Sequence, residues 1–151
     1  MRSASVRRAA PSRQVLLVDD NCDGNLARRS VLEEIGYHVF SACCGRDALQ
    51  ILQHQAIDLI VTDYRMGPID GLELIARVRA TQSSIPIILL TGFAESLGLN
   101  CDNTGADSVI QKSAKELPIL LRNANKLLQT PRKAPGSHQG RKPAKRASNA
   151  D

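Results

Sequence analysis

The residues of this chain that are best suited to chemistry stand directly after short apolar runs. Three of them are carboxylates, one is a hydroxyl and one is an ammonium. A run that is apolar on both faces is typical of a central strand in a buried parallel sheet. Because parallel strands end at one edge of a sheet, we expect these side chains to meet there. They are Asp19, Asp20, Asp63, Thr91 and Lys112.

Together these groups predict phosphoryl chemistry supported by a magnesium ion. Carboxylates that lie close together repel one another unless a cation joins them. Mg²⁺ suits such a site, because it binds one or two carboxylates and keeps water and phosphate oxygens as its other ligands. An aspartate can act as a nucleophile toward phosphorus. A lysine and a hydroxyl would then stabilise the charge on the transferred phosphoryl group.

The segments between the apolar runs predict the elements that hold these residues in place. Apolar residues recur there at three- and four-residue steps, which indicates helices that alternate with the strands. Five alternations predict an α/β domain with a doubly wound parallel sheet and helices on both faces. At 151 residues the chain is long enough for a single domain with its own core.

Two of the predicted helices carry specific expectations. The first is expected to begin near Asp23, as its N-cap, and to end near Ile35. Ala27, Val31 and Ile35 are expected to face the core. The fourth helix is predicted to be short or irregular, because glycine, asparagine and aspartate are frequent between residues 98 and 105 and are poor helix formers.

This ordered set of residues resembles the receiver domain of two-component response regulators, the CheY-like domain. The resemblance covers roughly residues 14–129 and implies a flavodoxin-like (βα)5 fold with strand order 2-1-3-4-5. The matching positions are Asp19, Asp20, Asp63, Met66, Thr91, Gly92 and Lys112, together with the run Asp70-Gly71-Leu72-Glu73-Leu74. Each position alone is a weak signal, whereas the whole set in this order is specific.

The resemblance assigns roles to the acidic residues. Asp63 would be the phosphoacceptor. Mg²⁺ would be bound by Asp63, by Asp20 directly, by Asp19 through water and by the backbone carbonyl of Arg65. The ordinary alternative for the acidic pair is N-capping of the first helix, for which Asp23 is also available.

The resemblance also assigns the phosphoryl-binding and switch positions, with two departures from the family pattern. Thr91 would bond a phosphoryl oxygen, and Lys112 would pair with Asp63 before phosphorylation and with the phosphoryl group after it. Ser113 replaces the family's usual proline, which often follows a cis bond. Because a cis bond before another residue costs about 2.5–4 kcal/mol, the Lys112–Ser113 bond could be trans, or cis under strain. Val109 stands at the switch position, so the usual aromatic coupling is unavailable.

Two positions bear on how long the phosphorylated state would last. The long cationic side chain of Arg65 is expected to lie over the phosphoryl group and to crowd the path of an attacking water. Gly92 would act in the opposite direction by leaving the site open. We expect Arg65 to dominate, because its side chain reaches the reacting group; the alternative is that Arg65 is a solvated surface charge.

The basic character of the chain is confined to its two ends. The net charge is +5, yet residues 14–129 hold ten basic and fourteen acidic residues. Residues 1–13 form a basic arm, and residues 130–151 form a basic tail rich in Pro, Gly and Ser. Both segments are expected to be disordered, because they contain too few apolar residues to fold. Weak contact with nucleic acid or an acidic partner is a second possibility for them.

The function that the sequence predicts is that of a stand-alone receiver in a phosphorelay. It would take a phosphoryl group from a phosphohistidine of a sensor kinase or phosphotransfer protein, and it would act on a partner through the face of helix 4, strand 5 and helix 5. Only 22 residues follow Gln129, too few for a DNA-binding unit. With no apolar run near the ~20 residues of a membrane span, a cytoplasmic location is expected.

Two other function classes remain open. An aspartate-nucleophile phosphohydrolase would use similar groups, but it would carry an Asp-x-Asp pattern after the first strand, whereas Asp19 and Asp20 are adjacent. The intact acids argue against a receiver-like interaction module that works without phosphorylation, whereas Val109 and Ser113 leave this alternative open. The leading prediction is therefore a signalling phosphoacceptor and not an enzyme, with self-phosphorylation and slow self-dephosphorylation as its only reactions.

Overall fold

The structure, a computed structural model, describes residues 12–81 and 84–129, in which five strands alternate with five helices. The predicted arm and tail lie almost entirely outside these residues. The strands are β1 (Gln14–Val18), β2 (His38–Ala42), β3 (Leu59–Asp63), β4 (Ile87–Thr91) and β5 (Ser108–Gln111). The helices are α1 (Cys22–Glu34), α2 (Gly45–His54), α3 (Gly71–Thr81), α4 (Cys101–Thr104) and α5 (Glu116–Gln129).

All five strands are parallel and form one sheet in the order β2-β1-β3-β4-β5. This order confirms the predicted flavodoxin-like arrangement. Strands β3 and β4 lie inside the sheet, and every residue in them is buried, as their apolar composition requires. Because the strand order reverses between β1 and β3, a crevice forms at their carboxyl ends.

Two apolar layers cover the faces of the sheet. Helices α2 and α3 cover one face through Ala48, Leu74, Ile75 and Val78. Helices α1 and α5 cover the other face through Leu32, Leu120, Ala124 and Leu128. With both faces covered, the functional groups at the strand ends lie at the carboxyl edge of the sheet.

The start of helix α1 differs from its prediction. The N-cap is Asn21 and not Asp23, and the helix begins at Cys22. The Asn21 side chain accepts hydrogen bonds from the backbone amides of Asp23 and Gly24, at 3.0 and 3.3 Å. Asparagine caps a helix as well as aspartate does, so the earlier residue takes the position next to the strand end.

The inward face of helix α1 was also predicted wrongly. Asn25, Arg28 and Leu32 are buried, whereas Ala27 is exposed and Ile35 is 50% exposed. The spacing of apolar residues misled the prediction, because two of these three inward positions, Asn25 and Arg28, are polar. Arg28 is buried because acidic partners surround its guanidinium group.

Helix α4 is a single turn, in agreement with the expectation of a short element. The side chains of Asn100 and Asn103 accept hydrogen bonds from each other's backbone amides, at 3.0 and 2.9 Å. The helix ends at Gly105, whose φ of +82° is a left-handed conformation that favours glycine. Irregular turns occupy much of the chain between β4 and α4.

Helix α3 begins directly against the end of β3. A Cβ atom on Gly71 would collide with the backbone carbonyl of Asp63 and would lie 3.0 Å from the Leu89 side chain. The Gly71 amide donates a hydrogen bond to the Tyr64 carbonyl at 2.8 Å. The missing side chain therefore lets α3 start beside the predicted phosphoacceptor.

Candidate phosphoacceptor and metal site

The three predicted acids meet at the carboxyl edge of the sheet. Asp19 and Asp20 follow β1, and Asp63 ends β3, the strand paired with β1. One carboxylate oxygen from each of these residues lies within 4.8 Å of the other two. Asp19 and Asp63 are buried, whereas Asp20 is exposed. This compact set of hard oxygen donors, open on one side, fits the ligand preference of Mg²⁺.

Lys112 reaches the predicted phosphoacceptor. Its Nζ atom lies 2.7 Å from Oδ1 of Asp63. The Lys112 amide also donates a hydrogen bond to the Thr91 carbonyl at 2.9 Å, which extends the pairing of β4 and β5. No cis peptide bond occurs among the residues that the structure describes, so the Lys112–Ser113 bond is trans. Ser113 in place of proline thus leaves the lysine in contact with Asp63.

The environment of Asp63 raises the pKa of its carboxyl group. Burial is the main cause, because it disfavours the charged form, and the nearby charge of Asp19 adds to it. The hydrogen bond from Lys112 acts in the opposite direction without cancelling the effect. An ionised Asp63 that is buried beside Asp19 is therefore unfavourable, and a bound cation would stabilise it.

Thr91 ends β4 with a buried hydroxyl group. Its Oγ1 atom accepts a hydrogen bond from the backbone amide of Phe93 at 2.9 Å. A hydroxyl that accepts one bond can still donate its proton to another group. A Cβ atom on Gly92, the residue next to Thr91, would meet nothing within 4 Å.

The switch position holds Val109, which is half-buried and packs against the core cluster that includes α2 and α3. A residue that the sequence prediction missed, Gln111, connects β5 to the loop after Thr91. Its Oε1 atom accepts hydrogen bonds from the amides of Ala94 and Glu95 at 3.1 and 3.4 Å. Its Nε2 atom donates to the Gly92 carbonyl at 2.8 Å. Its place just before Lys112 is the only signal that the sequence offers.

Arg65 lies beside the acids but is turned toward an aromatic ring. Its guanidinium carbon is 4.5 Å from the centroid of the Phe93 ring, a cation–π contact between two exposed side chains. Arg65 also lines an open groove next to the acids. The other residues of this groove are Asp20, Tyr64, Met66, Gly67, Pro68 and Asp70.

A second residue that the sequence prediction missed, the basic Arg28, contacts Asp19 of the acidic set. Its Nη1 atom is 2.5 Å from Oδ2 of Asp19, and its Nε atom is 2.5 Å from Oε2 of Glu116. Burial lowers the pKa of Arg28, but the hydrogen bonds to Glu116 and Asp19 outweigh this effect and raise it above its ordinary value. Arg28 is therefore a permanent charge inside the protein.

Sequence comparisons agree with this geometry. The family model of the response regulator receiver domain matches residues 15–122. The probable transcriptional regulator ycf27 of Cyanidium caldarium is 34% identical over 122 residues, which are 77% of this chain and 47% of that protein. The transcriptional regulatory protein ZraR of Escherichia coli is 31% identical over 80 residues, which are 53% of this chain and 18% of that protein. The chain thus spans less than half the length of either relative.

Two solved structures of similar fold contain magnesium. The response regulator TrrA of Thermotoga maritima, in complex with Mg²⁺-BeF, is 30% identical with a TM-score of 0.69; the match covers 77% of this chain and 99% of that one. The receiver domain of a sensor histidine kinase from Pseudomonas aeruginosa has a magnesium ion in its active site cleft. It is 27% identical with a TM-score of 0.71, over 80% of this chain and 100% of that one.

One further property follows from the helices themselves. Within residues 12–81 and 84–129, no helix is long and apolar enough to cross a membrane.

Three observations lead to one assignment. They are the fold, the strand-end residues and the family match over residues 15–122, which is well over half of the sequence. This chain belongs to the response regulator receiver domain family.

Proposed function

We propose that Asp63 accepts a phosphoryl group from a phosphohistidine of a sensor kinase or phosphotransfer protein, in a reaction that depends on Mg²⁺. The observation that carries this proposal is the contact between Lys112 and Asp63 at 2.7 Å, in a site where three carboxylates lie within 4.8 Å. Asp20 and Asp63, with the Arg65 carbonyl, would hold the ion, and Asp19 would act through water. When bound, Mg²⁺ offsets the negative charge of the phosphoryl oxygens.

The chain's own residues would divide the work of the transfer. A carboxylate oxygen of Asp63 forms a bond to phosphorus while the bond from phosphorus to the imidazole nitrogen breaks, and the leaving imidazole keeps that electron pair. Lys112, released from Asp63, then pairs with a phosphoryl oxygen, and the Thr91 hydroxyl donates a hydrogen bond to another. Asp63 supplies the only covalent step, so the protein acts as a signalling phosphoacceptor and not as an enzyme with a separate substrate.

The test is reaction with acetyl phosphate in the presence of Mg²⁺, followed by intact-mass measurement. We expect one added phosphoryl group, its loss when EDTA removes the metal, and its absence in Asp63→Asn. Asp47→Asn is the matched control, because Asp47 is an exposed aspartate in α2 and should leave the modification intact. Modification that survives Asp63→Asn, or that forms equally in EDTA, would contradict the proposal.

The output surface would be the face formed by α4, β5 and α5 together with the loop after Thr91. This loop carries two exposed apolar side chains, Phe93 at 39% and Leu97 at 48% exposure. Exposed apolar residues beside a reactive site favour contact with a protein partner. Addition of beryllofluoride and Mg²⁺ should shift the backbone amide resonances of this loop; shifts confined to the three acids would argue against this output surface.

A further inference from the structure

The buried ion pairs of Arg28 connect the acidic site to the start of helix α5. Only 7% of the Arg28 side chain is exposed, and its partners Asp19 and Glu116 are 2% and 13% exposed. Asp19 follows β1, Arg28 lies in the middle of α1, and Glu116 is the first residue of α5. One guanidinium group therefore joins the end of β1 and the following helix α1 to the start of α5, which is 88 positions away in the sequence.

Arg28 and a metal ion would compete for the charge of Asp19. Oδ2 of Asp19 contacts Arg28, and its Oδ1 atom accepts a hydrogen bond from the Asn21 amide at 2.8 Å. Both carboxylate oxygens thus have partners within the protein, and a positive charge lies directly behind the cation site. Glu116 counteracts this effect, because its carboxylate binds the same guanidinium group and offsets part of its positive charge.

We propose that Arg28 sets the cation affinity of the site as a positioning residue, and that Glu116 determines how much of the Arg28 charge acts on Asp19. This inference rests on the proposed function, since it concerns the same Mg²⁺ site. Arg28 lowers the affinity by offsetting Asp19, and Glu116 raises it by offsetting Arg28. A purely structural ion pair that only joins α1 to α5 would not give the two residues opposite effects.

The test is a Mg²⁺ titration of the full chain without a phosphoryl donor. Binding is monitored through the backbone amide resonances near Asp20 and Lys112. Arg28→Leu combined with Glu116→Leu removes both members of the Arg28–Glu116 ion pair, so Asp19 alone loses an ion-pair partner. This double variant should bind Mg²⁺ about tenfold more tightly, because the nearer of the two charges is the positive one. Glu116→Gln alone should bind it about threefold more weakly, because Arg28 then acts fully on Asp19.

Two controls separate charge from packing. Arg29→Leu combined with Glu33→Leu removes an exposed ion pair of the same helix, in which the two groups are 2.9 Å apart, and should leave the affinity within about twofold of the wild type. Arg28→Lys with Glu116 intact keeps the positive charge and should bind Mg²⁺ with an affinity close to that of the wild type. Thermal unfolding in EDTA shows which variants remain folded.

The outcomes distinguish the inference from the proposed function. Opposite shifts in the Arg28/Glu116 double variant and in Glu116→Gln support the inference. Weaker binding in both variants, or unchanged binding in both, overturns it while the phosphoacceptor proposal stands. If the wild-type protein does not bind Mg²⁺, or if Asp20→Asn binds it equally well, then both are overturned.

Discussion

At the scale of single residues, the proposed chemistry of Asp63 and its surroundings favour opposite protonation states of its carboxyl group. The proposed reaction requires its ionised form, yet burial and the neighbouring charge of Asp19 favour its protonated form. Lys112 partly stabilises the ionised form, because its Nζ atom lies 2.7 Å from Oδ1 of Asp63. The ionised carboxylate is therefore held in a destabilising position, as is common at functional sites.

This conflict predicts a pH-dependent gain in stability when Asp63 is replaced by asparagine. Because the folded protein raises the pKa of Asp63, the folded state binds more protons than the unfolded state does, and its stability falls as the pH rises through that range. Asp63→Asn should thus unfold at a higher temperature than the wild type at neutral pH in EDTA. The gain should shrink below the ordinary pKa of aspartate. An equal or lower melting temperature at neutral pH would show that the loss of the Lys112 contact dominates.

Arg65 supports a prediction about the lifetime of the phosphorylated state. The guanidinium group of Arg65 lies beside the site, with its central carbon 4.5 Å from the centroid of the Phe93 ring. We expect Arg65 to hinder the attacking water, and we expect Arg65→Asn to lose the phosphoryl group about three to ten times faster, since its amide can hydrogen-bond that water. Loss of acyl phosphate at saturating Mg²⁺ measures this. Equal rates, or a faster-decaying wild type, would contradict it.

At the scale of elements, the close contact of β3 and α3 depends on one glycine. Gly71→Ala places a Cβ atom against the Asp63 carbonyl, a backbone atom that cannot move without shifting the site. We expect a loss of about 1–3 kcal/mol in the free energy of unfolding, together with weaker phosphorylation. Gly67→Ala is the matched control, because its Cβ atom would meet nothing within 4 Å. Similar urea midpoints for the two variants would refute this account.

The loop after β4 depends on Gln111 instead of an aromatic switch residue. Three hydrogen bonds connect its side chain to the backbone of Gly92, Ala94 and Glu95. Gln111→Ala should lower the free energy of unfolding by about 1–2 kcal/mol and should speed hydrogen exchange at the Ala94 and Glu95 amides. Gln53→Ala, at an exposed position of α2, serves as the control. Unchanged exchange at both amides would mean that Gln111 does not hold the loop.

At the scale of the whole molecule, an acidic domain stands between two basic segments. Residues 1–11 and 130–151 lie outside the part of the chain that the structure describes, so their predicted disorder and their contacts remain predictions. The described domain matches receiver domains over nearly their full length. Any effect of the tail would therefore add to the function of the receiver domain and would not replace it.

The tail predicts weak binding to nucleic acid that depends on salt. Its six basic residues could release counterions from a duplex, whereas no aromatic residue is present for stacking on single strands. Deletion of residues 130–151 should weaken binding to duplex DNA of arbitrary sequence about tenfold at low salt, as measured by fluorescence anisotropy. The same deletion should leave phosphorylation by acetyl phosphate unchanged. Equal DNA affinity of the two forms at low salt would refute a role for the tail.

The sequence by itself determined the alternating fold and the identity of the acidic, threonine and lysine positions. These signals are local, because four of the five predicted strands lead directly to a candidate site residue, and a parallel sheet brings such ends to one edge. In the structure, the register of β1 against β3 pairs Val18 with Thr62 and so brings Asp19 next to Asp63.

Only the tertiary structure decided where the long polar side chains find their partners. Arg28 bonds Glu116 across 88 positions, and Arg65 lies over Phe93, 28 positions away by their numbers. Helical periodicity pointed to Ala27 and Ile35 as inward residues, because it weighs apolar character and cannot register that two distant acids make a buried arginine stable. A charged group is buried only when its partners are assembled around it, and that assembly is a property of the whole fold.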